Sequence, residues 1–175
     1  ARSTALSLAL DAQSASAALA GAGLAGVDGI VTDHVRVRSG FEAAIAAALG
    51  TLGEALLAES RDAAIAAVGH ARDGGHGRVD VVIADASAMR IEVPGVDGAT
   101  HAPSVVDAPD GVLGILAHAF VVDDLAAAAE VGPRLADLEL GAPVTLVTRD
   151  GDVMTEHLVQ GGSKDAASRL ELIAD

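Results

Sequence analysis

Cysteine is absent from the 175 residues, so neither a disulfide nor thiolate chemistry is available. A reducing cytoplasm is compatible with that absence. Tryptophan and tyrosine are also absent, and Phe41 and Phe120 are the only phenylalanines. A stacking platform for single-stranded nucleic acid needs aromatic rings, so that class of function is excluded, and the core must be built from Val, Leu and Ile. Lysine occurs once, as Lys164; the 11 basic residues face 25 acidic ones, a formal net charge of −14. Such a surface repels nucleic acid at long range and keeps the chain soluble. No apolar run reaches the roughly 18 residues that a membrane span needs. Leu6 to Leu10 is too short for the core of a signal peptide, and Asp11 interrupts it.

What is present is apolar but small: 51% of residues are hydrophobic, and much of that is Ala. Heavy Ala and Gly use, with Arg in place of Lys, reads as the composition of a high-GC genome. A chain of this length suits one domain or two small subdomains sharing a core. Beginning on Ala1 and not Met, it is expected to be a fragment of something longer.

Ala1 to Ala20 carries Leu6, Leu10, Gln13, Ala17 and Ala20 at spacings of four and three, a thin helical stripe. Ala166, Leu170 and Ile173 repeat it at the other end. Ile30 to Val37 reads as a strand and Glu42 to Leu49 as a helix. Glu54 to Ala58 reads as a short buried strand, with Ser60 and Asp62 as caps for a helix over Ala63 to Ala71. Val79 to Ala84 reads as another strand. Pro94, Pro103 and Pro109, with Gly95 and Gly98, mark a linker between Ala86 and Asp110. Beyond it, FVVDDLAAAAEV (Phe120 to Val131) echoes LLAESRDAAIAAV (Leu56 to Val68): a short apolar strand, an acidic cap, then an Ala-rich helix. Val144 to Thr148 reads as a strand, Asp150-Gly151 as a turn, Val153 to Gln160 as a further strand, and Gly161-Gly162 closes it.

Several motifs lead away from catalysis. GAGLAG at Gly21 to Gly26 matches G-x-G-x-x-G, but a dinucleotide site needs a strand before it and a helix after. Here the order is reversed, and the glycines are read as the exit from a helix. His70, Asp73 and His76 cluster as metal ligands can; on a glycine-rich loop with no second shell they are read as solvated. His34, His101, His118 and His157 form no constellation. There is no G-x-S-x-G, and Asp123-Asp124 fits a helix cap better than a catalytic pair. No catalytic, cofactor or metal residue is assigned.

Two stretches carry a resemblance. GVDGIVTDHVRVRSGFEAAIAAALG (Gly26 to Gly50) and VTLVTRDGDVMTEHLVQGGS (Val144 to Ser163) together resemble the hinge domain of SMC proteins, the ATPases that fold chromosomes, in the bacterial Smc, condensin-type subgroup. The matching positions are Gly26, Gly29, Val37, Phe41, Glu42, Ala43, Ala48, Leu49 and Gly50, then Val147, Thr148, Asp150 and Gly151. The sequence departs where Thr155-Glu156-His157-Leu158 replaces an earlier glycine pair. The resemblance implies an α+β fold of two related α/β subdomains with mixed sheets, flanked by helical coiled-coil stubs. The expected boundaries are 1–22 and 164–175 for the stubs, 23–90 and 111–163 for the subdomains, and 91–110 for the linker.

The implied function is homodimerisation that joins two coiled-coil arms, for chromosome condensation and segregation, in a cytoplasmic, nucleoid-associated parent. ATP would be used by heads elsewhere in that parent, where accessory subunits also bind. An edge strand of the second half would pair with the first half of a second copy. Glycine lets two backbones approach closely, so Gly161 and Gly162 are the expected interface residues, with Gly151, Val153, Leu158 and Val159. Arg36, Arg38, Lys164 and Arg169 are candidates for weak phosphate contacts that salt would abolish. The competing readings are a small α/β enzyme or ligand-binding domain, and a hinge with a weak DNA-binding role.

Overall fold

The computed structural model describes Ser16 and residues 18–87 and 91–162. Most of both expected stubs, together with Lys164 and Arg169, lies outside the described residues. Within them one order of elements occurs twice: strand, 3-10 turn, strand, helix, strand, helix, strand. The first pass is β1 (Val27–Ile30), a turn over Val31–His34, β2 (Arg36–Val37), α1 (Glu42–Leu49), β3 (Leu56–Ala58), α2 (Arg61–Asp73) and β4 (Val81–Ile83), with an additional 3-10 turn over Gly50–Glu54 between α1 and β3. The second is β5 (Thr100–His101), a turn over Ala102–Val105, β6 (Val106–Asp107), α3 (Asp110–Ile115), β7 (Ala119–Val122), α4 (Leu125–Ala136) and β8 (Thr145–Thr148). A hairpin, β9 (Val153–Met154) and β10 (Val159–Gln160), follows only the second pass.

The local causes are ordinary ones. Ser60 accepts from the Ala63 N–H and Asp124 from the Ala127 N–H, so the two long helices start with the same capping geometry. The strands β3 and β7 are buried throughout; each is an inner strand with one parallel and one antiparallel neighbour.

Three expectations change. The strand expected over Ile30 to Val37 is cut by a 3-10 turn, in which the Val35 N–H donates to the Thr32 carbonyl and the His34 ring to the Asp28 carbonyl. The stretch 91–110, expected as a linker, carries β5, a turn and β6. Pro103 sits at the start of that turn, where a missing N–H costs nothing. The single strand expected over Val153 to Gln160 is a hairpin, turning at Thr155 to Leu158.

The chain divides into two compact units. The first holds β1, β3, α2 and β4 in one sheet of order β1-β3-β4, with β3 and β4 parallel. Leu19, Leu56 and Ala71 form its apolar cluster, with Val79 and Val81 against it. The second holds the sheet β10-β9-β8-β7-β5, with β7 and β8 parallel, and the pair β2-β6. Its cluster is Phe120, Val122, Ala128, Val131, Leu135 and Leu146. Burying each Val, Leu or Phe side chain of these clusters contributes ~1.5–3 kcal/mol.

The units do not follow the sequence repeats. Arg36–Gly50 from the first pass belongs to the second unit, where α1 packs on β8. Pro109–Val112 from the second pass belongs to the first unit. There the Gly111 N–H donates to the Ala84 carbonyl, and a Cβ on Gly111 would stand 1.8 Å from the Ile83 carbonyl oxygen.

That clash is with backbone, which cannot swing aside. Gly111→Ala is therefore expected to lower stability by about 2–3 kcal/mol, the scale of an overpacked site. Urea unfolding checks this; a loss near zero would show that α3 shifts freely.

Candidate functional site

The expected interface residues gather on the β9–β10 hairpin and the turn before it. Thr148 and Asp152 brace that turn. The Thr148 N–H donates to the Asp152 carbonyl at 2.9 Å, and the Thr148 hydroxyl donates to Asp152 Oδ2 at 3.0 Å. Gly151 has φ +95°, a left-handed conformation that favours glycine. Its position is also close to α1: a Cβ there would lie 3.6 Å from the Ala43 carbonyl oxygen. Arg149 leaves the same turn, with its guanidinium 4.4 Å from the centre of the Phe41 ring and its Nε donating to Asp123 at 3.1 Å.

The hairpin ladder fixes which backbone groups face outward. The Thr155 N–H donates to the Leu158 carbonyl at 2.8 Å, and Gln160 stands opposite Val153. Antiparallel ladders alternate, so Leu158 and Gln160 turn their polar groups toward β9, while Val159 and Gly161 turn theirs away from it. Val159 stands opposite Met154, and Met154 opposite Leu146. Cross-strand partners share a face, so Val159 lies on the face that Leu146 presents to α4. Its side chain is 61% exposed, and Leu158 is 48% exposed.

Gly161 has a reason to be glycine inside its own chain. A Cβ there would stand 1.9 Å from Asp152 Oδ1, the same oxygen that accepts from the Gly162 N–H at 3.3 Å. Gly162 differs: a Cβ would meet nothing within 4 Å, but its φ of +98° favours glycine. The sequence pointed to a glycine pair but gave no sign of Asp152, whose role depends on a contact nine residues away.

A second open edge lies on β4. The Leu56 N–H donates to the Asp80 carbonyl and the Ala84 N–H to the Ala58 carbonyl. By alternation, Val81 and Ile83 turn their polar groups away from β3. Gly111 lies against the Ile83 carbonyl, so Val81 is the open position of this edge. Val81 stands opposite Leu56, which shares a cluster with Ala71 of α2, so it lies on the face covered by α2.

The other candidates are not brought together. Arg36 and Arg38 are both exposed, and Arg36 stands opposite the acidic Asp107 in the β2–β6 ladder. His70 and His76 stack with ring centres 6.1 Å apart. Among the described residues no three His, Cys, Asp or Glu side chains are placed to hold a metal ion. His101 and His118 donate to the Ala117 and Leu140 carbonyls. Gly21 to Gly26 lies between helical residues 18–20 and β1, the wrong order for a dinucleotide site. No helix among the described residues is long and apolar enough to cross a membrane.

The described residues form two mixed α+β units whose sheets end in open edges. The family model "SMC proteins Flexible Hinge Domain" matches residues 24–132, and the chain belongs to that hinge family. It is 36% identical over 159 residues to the chromosome partition protein Smc of Mycolicibacterium paratuberculosis, a match covering 86% of this chain. The corresponding protein of Mycobacterium tuberculosis is 33% identical over 162 residues, again covering 86% of this chain. The chain spans only 12–13% of the length of these relatives. An asymmetric dimer of the Geobacillus stearothermophilus SMC hinge domain superposes with a TM-score of 0.67 at 26% identity, covering 86% of this chain and 63% of that one. The Pyrococcus furiosus Smc hinge domain with an extended coiled coil shares the fold at TM-score 0.69 and 17% identity, covering 98% of this chain and 63% of that one.

The contact between Gly161 and Asp152 gives a test within one chain. Gly161→Ala is expected to cost about 1 kcal/mol by displacing the carboxylate from the Gly162 N–H. In an Asp152→Ala background the same change should cost only about a few tenths. A double-mutant cycle by thermal unfolding checks this, and equal costs in both backgrounds would refute the contact.

Proposed function

We propose that this chain associates with a second copy of itself by antiparallel addition of β10 to the partner's β4. The observation that carries the reading is the pair of open edges: Val159 and Gly161 on one, Val81 on the other. An edge strand with unpaired polar groups is a template for such addition. A two-fold arrangement makes the contact twice. Main-chain bonding is indifferent to side-chain charge, which lets two chains of −14 each come together. A stable association of this kind buries at least ~1,200 Å². The Geobacillus stearothermophilus hinge is itself a dimer, an asymmetric one, which supports self-association.

In this reading Gly161, Gly162, Gly151, Val153, Leu158 and Val159 form or brace the seam. The pair joins two coiled-coil arms of a cytoplasmic, nucleoid-associated Smc protein that serves chromosome condensation and segregation. ATP turnover and accessory subunits belong to other parts of that parent, which also supplies the main contact with DNA. Arg36, Arg38, Lys164 and Arg169 give at most weak phosphate contacts that a gel shift at low salt would reveal.

Light scattering at micromolar concentration should give twice the chain mass of 17.2 kDa. Val159→Pro removes a donor that the hairpin itself does not use, and proline is tolerated on an edge. The expected product is a folded monomer, with dimer dissociation at least about 100-fold weaker, the scale of two lost backbone bonds in a dry seam. A Val159→Pro protein that stays dimeric with native circular dichroism would sink strand addition through Val159.

A further inference from the structure

Where the hairpin ends, the chain holds a carboxylate with no cation of its own. Asp152 is half-buried and accepts from the Thr148 hydroxyl at 3.0 Å and the Gly162 N–H at 3.3 Å. No described basic side chain forms an ion pair with it. Continuing the β9–β10 ladder by one pair sets Asp152 opposite Gly161. That pair exchanges no hydrogen bonds, and side chains in such pairs approach most closely. The Asp152 carboxylate takes the place of the side chain that Gly161 lacks, since a Cβ there would collide with Oδ1. The negative charge thus lies over β10, on the outer rim of the sheet.

In the other unit, a hollow of about 560 Å³ lies between the end of α2 and the loop that leads into β4, bordered by Val68, Arg72, Arg78 and Val79. Both arginines are exposed, and neither forms an ion pair among the described residues. Val79 and Val81 pack against the cluster of Leu19, Leu56 and Ala71, so the hollow opens on the α2 face of its sheet. Asp73 is exposed at the end of α2, and Asp80 alternates to the face opposite Val79 and Val81. In a chain with 25 acidic and 11 basic residues, two unpaired guanidinium groups at one hollow reverse the prevailing sign.

We propose that in the dimer the Asp152 carboxylate of one copy enters this hollow in the other and pairs with the partner's Arg72. This rests on the antiparallel addition of β10 to the partner's β4 proposed above, and the register follows from the two edges. Either Val159 or Gly161 can stand opposite Val81. With Gly161 there, Val159 falls opposite Ile83, whose carbonyl is already covered by Gly111. With Val159 there, Ile83 is level with His157, in the hairpin turn, where β10 has ended. The chain therefore permits the second register, which sets Val79 opposite Gly161.

Face and height then agree. Opposite residues of a ladder share a face, so the Asp152 carboxylate, over Gly161, lies on the side of the joined sheet that carries the partner's α2. The step from Arg72 back to Val68 is about 6 Å of helix, and the step from Val79 to Val81 is about 6.6 Å of strand. Arg72 and Val79 border the same hollow, so Val68 stands level with Val81. Each seam is thus layered: the exposed Val159 meets the partner's Val68, and the Asp152 carboxylate meets the partner's Arg72. About 4.8 Å, one strand spacing, separates the Gly161 position from the partner's Val79. Each carboxylate oxygen has accepted one hydrogen bond and can accept another, which suits the fork of a guanidinium.

A double-mutant cycle on dimer dissociation tests this. Asp152→Asn keeps the shape of the side chain and removes its charge; Arg72→Gln does the same at an exposed helix position. By sedimentation at low salt, each change alone should weaken the dimer at least about 10-fold over its two seams. Both together should weaken it no more than about 2-fold beyond either alone. Arg72→Gln leaves the hairpin untouched, so it also tests the pairing by itself: the parent's advantage over it should shrink as salt is added. Effects that multiply to about 100-fold, or an Arg72→Gln protein that dimerises like the parent, overturn the pairing; if Val159→Pro still gives monomers, strand addition stands. A monomeric parent chain overturns both.

Discussion

A backbone N–H and C=O pair turned out of a sheet has to be satisfied by water or by another strand. That constraint organises this molecule. Its strands are short, two to four residues each, so each edge offers few such groups. One edge is partly closed by the chain itself, where Gly111 lies against the Ile83 carbonyl. The hairpin β9–β10 extends the other sheet and so moves its open edge outward to Val159. Without the hairpin, β8 would be the edge, and α1 already packs there. The hairpin is the one element present in the second pass and missing from the first. In the proposed strand addition it makes one unit the donor and the other the acceptor.

The repeats explain why glycines occur where helices meet strand ends. Each pass sends a helix, or its first turn, into the unit built mainly by the other pass. Gly111 admits α3 beside β4. Gly151 admits the turn after β8 beside Ala43 of α1. A side chain at the first collides with backbone, and at the second it is strained by φ +95°. The exchange also links the units through segments that each unit's packing needs.

Much of this was legible in the sequence. The echo between Leu56 to Val68 and Phe120 to Val131 exposed the duplication, because strand, cap and helix recur with the same residue chemistry. Ser60 and Asp124 were readable because N-capping is a local effect. The two-residue strands β5 and β6 were not, since two residues carry no periodicity and their prolines read as a linker. The hairpin was read as one strand because Thr155 to Leu158 contains neither Gly nor Asn to signal a turn. At the site, the glycine pair was visible, but Asp152 was not: its carboxylate reaches Gly162 only after the chain has folded back. Val81 was also missed: the parity that turns its polar groups outward exists only once strands are paired.

Net charge and local charge then pull in opposite directions. Two bodies of −14 repel across any gap wider than the ~8–10 Å screening length at physiological salt less than they would at low salt. Main-chain bonds are too short-ranged to overcome an unfavourable approach by themselves. A seam with one open position on β4 supplies only a pair of them, each worth about 0.5–1.5 kcal/mol net. In the proposed seam the deficit has to be met by apolar burial. Leu158 and Val159 on the hairpin are 48% and 61% exposed, and covering side chains of that size contributes ~1.5–3 kcal/mol each, more than the pair of main-chain bonds between them.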